Sequence, residues 1–338
     1  MPQLLQISLS LILTFSFAWL LTYLLVRLAS KSQNDEQKKK PAFGGLAIFL
    51  SFWLNYFLFR PFSLGDEKGV LFIGSGIILI TGILDDWLDL SPLYKSMGIL
   101  LAIHYVYFLG DFSFSSRLIM VDNPILLAII TYLLTLTWIY FVTNAVNLLD
   151  GIDGLAASVS MVSLSSLVVI TWLFSLTLQW DFLVKLLLLI CAIGGFSCFN
   201  WPPAKIMLGD TGALFIGFMY ASLTVTNLKH ASLFSLIFPI LLFAVPLFDT
   251  FFAFFRRLIQ GQSVTQGDRE HIHHRLLRRG WKESRINILM MGISLGFSVI
   301  ALLLHIFNDY KWLILTITLL ILLVMIHWVI DLGKGSKS

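Results

Sequence analysis

The sequence predicts an all-α polytopic membrane protein of about eleven transmembrane helices, with a polar site at the cytoplasmic face. Three observations predict it. Apolar residues make up 58% of the chain and charged residues 12%, with a mean hydropathy of +0.87. Apolar runs recur along all 338 residues at the length a bilayer demands, since a hydrocarbon core of about 30 Å takes roughly 20 apolar residues in a helix. The Lys and Arg residues then gather in alternate loops, as they do where basic loops stay on the cytoplasmic side.

The apolar runs are 4–29, 42–60, 69–84, 95–110, 125–143, 154–178, 182–199, 211–226, 232–255, 285–306 and 311–331. The first has no basic residue before it, whereas a cleaved leader would carry a positive start, so it reads as a retained span with its N-terminus outside. The shorter runs, such as 69–84, are served by tilt or by burial among neighbours. Residues 111–124 suggest a small outer hairpin. No repeat or linker divides the chain, which reads as one domain over 1–338. With the N-terminus outside, 17 of the 23 Lys and Arg residues fall on the inner side, and the C-terminus is cytoplasmic. The net charge of +4 is then a topology signal, and no nucleic-acid surface is expected. Cys191 and Cys198 share one apolar run and read as small core residues, with no disulfide or cysteine metal site.

That orientation, assigned from Lys and Arg alone, puts nearly every polar cluster on the inner side: loops 30–41, 84–95, 144–153, 200–212 and 256–284. In LDDWLDL, Asp85, Asp86 and Asp89 end an apolar run. Crowded carboxylates beside lipid need a metal, a cation or a proton to relieve them. In NAVNLLDGID, Asn144 and Asn147, and Asp150 and Asp153, are each three apart and share a face on a helical turn, with Gly151 and Gly154 allowing a close ligand or a turn. Asp153 could also cap the helix that follows. In GDTG, Asp210 or Thr211 is either an N-cap or part of a magnesium site, with Lys205 as a phosphate partner. Asp249 lies inside an apolar run as a functional carboxylate or the partner of Arg256. DREHIHH supplies Arg269, His271, His273 and His274; among so many arginines the pattern suits anion recognition better than zinc. His104, His230, His305 and His327 are isolated and read as packing residues. Trp87, Phe199 and Trp201 suit a membrane interface.

Taken together, PAFGG, LDDWLDL, NAVNLLDGIDGLA, PPAKIMLGDTGALFIGF, PLFDT and DREHIHHRL closely resemble the polyprenyl-phosphate N-acetylhexosamine-1-phosphate transferase family, over nearly the whole chain. HIHH resembles its WecA/TagO-type branch. The resemblance implies transfer of an N-acetylhexosamine 1-phosphate, usually from UDP-GlcNAc, to undecaprenyl phosphate in the bacterial inner membrane, with Mg2+ (or Mn2+ in its place) as cofactor. It implies Asp210 as the magnesium ligand with Asp150 beside it, and Asp85 and Asp86 as the acidic pair near metal and lipid phosphate, one of them the base. It places Asn147, Asp150, Asp153, His273 and His274 around the nucleotide sugar, and Lys40 and Lys95 on the same cleft. Relatives often carry a basic or hydroxyl residue before the glycine pair, where this sequence has Phe43.

The chemistry expected is phosphoryl transfer between two anions, which crowds acidic metal ligands and basic anion binders onto one face. Direct attack by the lipid phosphate is preferred to a covalent enzyme intermediate, because a phosphate that is already anionic needs little activation. The alternatives are a 6-deoxy sugar donor (UDP-FucNAc or UDP-QuiNAc), an ion-coupled carrier and a non-catalytic scaffold for glycan assembly. A carrier would put its charges at the midplane within repeats, and a scaffold would not need five polar loops on one side. A homodimer is left open.

Overall fold

A computed structural model describes residues 2–32, 40–59, 65–114, 121–174, 180–227, 237–259 and 271–334. Every predicted apolar run carries helix, and among the described residues there is no strand. The helices are α1 Pro2–Ser32, α2 Gly44–Phe59, α3 Glu67–Leu88, α4 Pro92–Gly110, α5 Pro124–Leu149, α6 Leu155–Phe174, α7 Trp180–Asn200, α8 Gly209–Asn227, α9 Ile237–Leu242, α10 Ala244–Ile259, α11 Ile272–Arg278, α12 Glu283–Ile306 and α13 Lys311–Lys334. Eight of them are long and apolar enough to cross a membrane (α1, α3, α4, α5, α6, α7, α12 and α13). The apolar helices α2, α8 and α10 complete the bundle. The chain is a polytopic membrane protein.

Local chemistry sets the helix ends. Asn123 caps α5 by accepting from the N–H groups of Ile125 and Leu126, and Pro124 follows it where a missing N–H costs nothing. Helix α3 ends where Asp89 turns left-handed at φ 49°, so Asp85 lies in the helix and Asp89 beyond it. The predicted 232–255 run is split at Phe243 into α9 and α10. Pro246 lacks the N–H that Leu242 O would accept, and Ser163 of α6 donates its hydroxyl there instead, at 2.5 Å. The expected hairpin lies partly outside the described residues; Phe112 and Phe114, at its start, are buried.

The bundle has a centre and a rim. Of α7's apolar window 61% is buried, against 11% of α13's, so α7 is surrounded by helices and α13 lies at the edge. Inside, Gly217 of α8 lies where a Cβ would come 2.8 Å from Thr143 Cα of α5, so the absence of a side chain lets those two helices touch. Indole N–H groups bond across helices, Trp53 to Ser75 at 3.0 Å and Trp138 to Thr224 at 3.2 Å. Many buried hydroxyls return to their own backbone, as Thr14, Thr22 and Ser51 do to the carbonyl four residues back. These hydroxyls are thereby satisfied where no water can reach them.

Candidate active site

The polar residues meet at one end of the bundle. Alternate helix ends arrive there: the C-termini of α3, α5 and α7, the N-termini of α2, α4, α6, α8 and α12, and the short helix α11. An up-and-down path allows nothing else, because each pass brings one end to the same side.

The centre is a charged cluster at the start of α8. Lys95, in the first turn of α4, places its ammonium 2.7 Å from Asp85 Oδ2 and 3.1 Å from Asp210 Oδ2. Asn147 donates from its amide to the other oxygen of Asp210. Asp85 also accepts the N–H of Leu90, at 3.0 Å. Four helices thus contribute to the cluster, α3 and α8 giving the two carboxylates, α4 the cation between them and α5 the amide on Asp210.

Asp86 does something different from its neighbour. Its Oδ1 accepts the N–H of Asp210 at 2.8 Å, and its Oδ2 accepts the N–H of Thr211 at 3.1 Å and the Thr211 hydroxyl at 2.6 Å. It caps α8 from another helix, where the exposed N–H groups and the helix dipole favour a carboxylate. The cap that the sequence placed on Asp210 or Thr211 is therefore supplied by α3. Both oxygens of Asp86 are occupied, whereas Asp210 points into the cluster.

Glycines bring the backbones this close. A Cβ on Gly82 would lie 2.4 Å from Thr211 Cα, and one on Gly45 would lie 2.1 Å from Gly212 N. Gly209 sits at φ +72° with the Asp86 carboxylate against it, a conformation L-residues rarely adopt. The PAFGG strip runs alongside: Met207 N donates to Pro41 O at 2.9 Å, and Gly44 and Gly45 donate to Met207 O and Leu208 O at 3.2 and 3.1 Å. Phe43 points outward and is 37% exposed.

A second polar hollow of about 110 Å³ opens beside this cluster, lined by Asp150, Gly151, Asp153, Asn200, Met207 and Glu283 among others. Asp150 follows the end of α5. Burial pushes its carboxyl well above the usual range, and the nearby charges of Asp210, Asp86 and Asp153 push it the same way, against a hydrogen bond from the Gly209 N–H. Asp153 does not cap α6. Its Oδ2 takes Lys40 Nζ at 2.5 Å and the Ala204 N–H at 2.9 Å, tying the strip before α2 to the 200–208 segment. Asn287 of α12 donates to Asp153 O at 2.8 Å. Asn144 only returns to Tyr140 O, at 2.8 Å in its own helix, and Lys205 is exposed to one side. Among the described residues no side-chain hydrogen bond draws either into the cluster.

The histidine helix packs against the 150–153 loop that lines the hollow. Asp249 of α10 accepts the N–H of Ile272 at 3.0 Å and lies 2.9 Å from His271 Nδ1, so it seats the start of α11. His273 is fully buried, and its Nε2 lies where a Cβ on Gly151 would be only 2.1 Å away. Gly151, expected to admit a close ligand or a turn, makes room for an imidazole. Burial holds the His273 ring neutral, with its pKa lowered to about 3. His274 packs on it with ring centroids 4.2 Å apart. Both ring nitrogens of His273, His271 Nε2, Asn200 Oδ1 and Asn287 Oδ1 are buried without a hydrogen-bond partner, as are the hydroxyls of Thr131, Ser160, Thr171 and Ser222 away from the site; those beside the hollow have room to bond a ligand or water. Arg269 lies outside the described residues.

The donor set suits a hard cation. Asp150 and Asp210 offer only oxygen, as magnesium prefers; burial first, and then the charges of Asp210, Asp86 and Asp153, raise the Asp150 pKa, which a bound cation would lower again. Among the described residues no three His, Cys, Asp or Glu side chains already stand together as a closed metal cage. That is compatible with an ion that keeps waters and substrate phosphates in its shell.

Comparison with known proteins gives the same direction. A protein of Bacillus subtilis named "Probable undecaprenyl-phosphate N-acetylglucosaminyl 1-phosphate transferase" is 34% identical over 298 residues, covering 87% of this chain and 81% of its own. A decaprenyl-phosphate N-acetylglucosaminephosphotransferase of Mycobacterium tuberculosis is 30% identical over 281 residues, 74% of this chain and 68% of its own. A phospho-N-acetylmuramoyl-pentapeptide-transferase of Listeria innocua is 28% identical over 296 residues, 83% of this chain and 89% of its own. The family model described as glycosyl transferase family 4 matches residues 69–227, the segment that carries Asp85, Lys95, Asn147, Asp150 and Asp210, and the chain belongs to that family.

Proposed function

We propose that this chain transfers N-acetylglucosamine 1-phosphate from UDP-GlcNAc to undecaprenyl phosphate at the cytoplasmic face of the bacterial inner membrane. UMP leaves, and the product is the diphosphate-linked sugar that begins a cell-surface glycan. The observation that carries the reading is the Asp85–Lys95–Asp210–Asn147 cluster beside the Asp150–Asp153 hollow, at the membrane end of the bundle. A site for one lipid and one water-soluble substrate belongs at that boundary. The names of the Bacillus and Mycobacterium relatives both join a polyprenyl phosphate to N-acetylglucosamine.

The residues divide the work by charge. An oxygen of the lipid phosphate attacks the phosphorus bonded to the sugar, and the bond from that phosphorus to the UMP oxygen breaks. Asp85, as the base, takes any proton left on the attacking phosphate. Lys95, held by two carboxylates, is placed to meet phosphate charge as it arrives. A neutral His273 and the amides of Asn200 and Asn287 suit the polar sugar and nucleotide, which a charged ring would bind as an anion only. Asp210 and Asp150 would hold Mg2+, which when bound offsets repulsion between the phosphates and stabilises the leaving group.

The test uses purified protein, undecaprenyl phosphate, Mg2+ and a panel of UDP-sugars, with UMP release as the readout and Asp210→Asn alongside. UMP release with UDP-GlcNAc that needs lipid and metal, and is lost in the variant, is expected. Release only with a 6-deoxy N-acetylhexosamine would replace the sugar. A phosphosugar-labelled protein formed without lipid would replace direct attack by the covalent route. No release with any sugar, from folded protein, would return the carrier and scaffold readings.

A further inference from the structure

The last helix touches the site without contributing a residue to its hollow. Most of α13 faces away from the protein, and only 11% of its apolar window is buried. Its inner end is different. Arg275 of α11 is buried and donates from Nη1 to Val329 O at 2.6 Å. Arg279, just after α11, donates from Nη2 to Asp331 O at 2.8 Å. Both carbonyls lie in the final turns of α13 before Lys334. The carbonyl end of a helix carries partial negative charge, which suits two guanidinium groups; Asp331 O is among the last four carbonyls, which have no partner within the helix, and Val329 O, just before them, offers its second lone pair.

The same short helix carries His271, His273 and His274. At seven residues it has too few internal hydrogen bonds to hold itself, and its place is set by its neighbours. Asp249 holds its first turn. At its other end the two arginines meet α13. His273 stands between these anchors with its Nε2 against Gly151, so a small tilt of α11 moves the ring out of the 150–153 loop.

We propose that α13 is a working part of the site: its terminal carbonyls at Val329 and Asp331 clamp α11 through Arg275 and Arg279 and so fix His273 against the Gly151 loop. Arg275 and Arg279 are positioning residues. The effect on substrate rests on the transferase reading above; the clamp itself does not.

The experiment compares the full chain in detergent with Arg275→Met, Arg275→Lys and Arg279→Met. Hydrogen exchange is followed in peptides covering 271–279, with peptides from α3 and α8 as the folding control. UMP release gives KM for the UDP-sugar and kcat separately. Loss of one charge-assisted hydrogen bond is expected to speed exchange of α11 by about tenfold while α3 and α8 keep their protection. KM for the UDP-sugar rises by a similar factor with a smaller change in kcat, and Arg275→Lys recovers part of both. Unchanged α11 exchange in both Met variants overturns the clamp. So does faster exchange with KM unmoved, since α13 then braces α11 without serving the site. If Arg275→Met fails to fold, Arg279→Met and Arg275→Lys decide by the same criteria. Wild-type protein that releases no UMP would refute the transferase reading, and the exchange measurement would still judge the clamp.

Discussion

Asp85 and Asp86 are neighbours in sequence with opposite duties in the structure. Asp86 spends both oxygens on three donors at the start of α8, whereas Asp85 keeps an oxygen on Lys95 within the charged cluster. Asp86→Asn replaces one of those acceptor oxygens by a donor and removes the charge that meets the helix dipole. It is expected to cost about 1–3 kcal/mol of stability, read as a lower thermal midpoint. Asp85→Asn keeps its bond to Leu90 N, and is expected to abolish UMP release with a smaller shift of the midpoint. Equal midpoints for the two variants would sink this division of labour. No spacing rule separates two adjacent aspartates; only the partner helix, 124 residues on, tells them apart. The histidine gives a pH prediction. Folded His273 stays neutral down to about pH 3, while an unfolded imidazole takes its proton near 6.5. Its contribution is therefore complete above about pH 6.5 and is lost as pH falls from there toward 3, by up to about 1.4 kcal/mol per pH unit. Denaturant unfolding at about pH 7.5 and about pH 5.5 is expected to show this slope in the wild type and a flatter one in His273→Gln. Parallel slopes would show that this ring does not carry it.

At the scale of elements, the site depends on helices that touch through glycine. Gly82 and Gly76 lie on the same helix and differ only in what stands opposite. A Cβ on Gly82 meets the Thr211 backbone at 2.4 Å, and one on Gly76 meets nothing within 4 Å. Gly82→Ala must push α3 from the start of α8, separating the Asp86 cap and the Asp210 it holds. A loss of about 1–3 kcal/mol is expected, with UMP release falling alongside. Gly76→Ala is expected to leave release unchanged and to gain up to about 1 kcal/mol from helix propensity. Similar behaviour of the two variants would mean that the close approach does not matter. Composition made the helices themselves legible, since runs of apolar residues have one solution in lipid. It did not show where polar loops stop and helices continue. Asn144 and Asn147 belong to α5, and Asp85 and Asp86 to α3, although both stretches read as loop. Polarity at a helix end marks the membrane boundary, not the end of the helix. The break at Phe243 was hidden for a related reason: Pro246 sits in an apolar run, and the hydroxyl that compensates for it comes from α6.

At the scale of the whole molecule, basic loops and site geometry are independent observations that agree. The orientation was read from Lys and Arg positions, and the polar cluster was assembled from contacts between helix ends; both select the same end of the bundle. If that end faces the cytoplasm, Lys205 is inside and Asp309, in the turn between α12 and α13, is outside. Both are exposed, so a cysteine at either position is open to reagent. The natural thiols must first go, because Cys198 is also exposed, so the background is Cys191→Ser with Cys198→Ser. A maleimide that cannot cross membranes is expected to label Asp309→Cys in intact cells and Lys205→Cys only after the membrane is opened. The reverse pattern would place the cluster outside and leave it without access to a cytoplasmic nucleotide sugar. Labelling of both in intact cells would mean that the two positions do not lie on opposite sides, and the alternating path of α1 to α13 would be wrong. The transferase reading needs the first pattern, because a water-soluble donor and a membrane-bound acceptor can share this site only where the nucleotide is made.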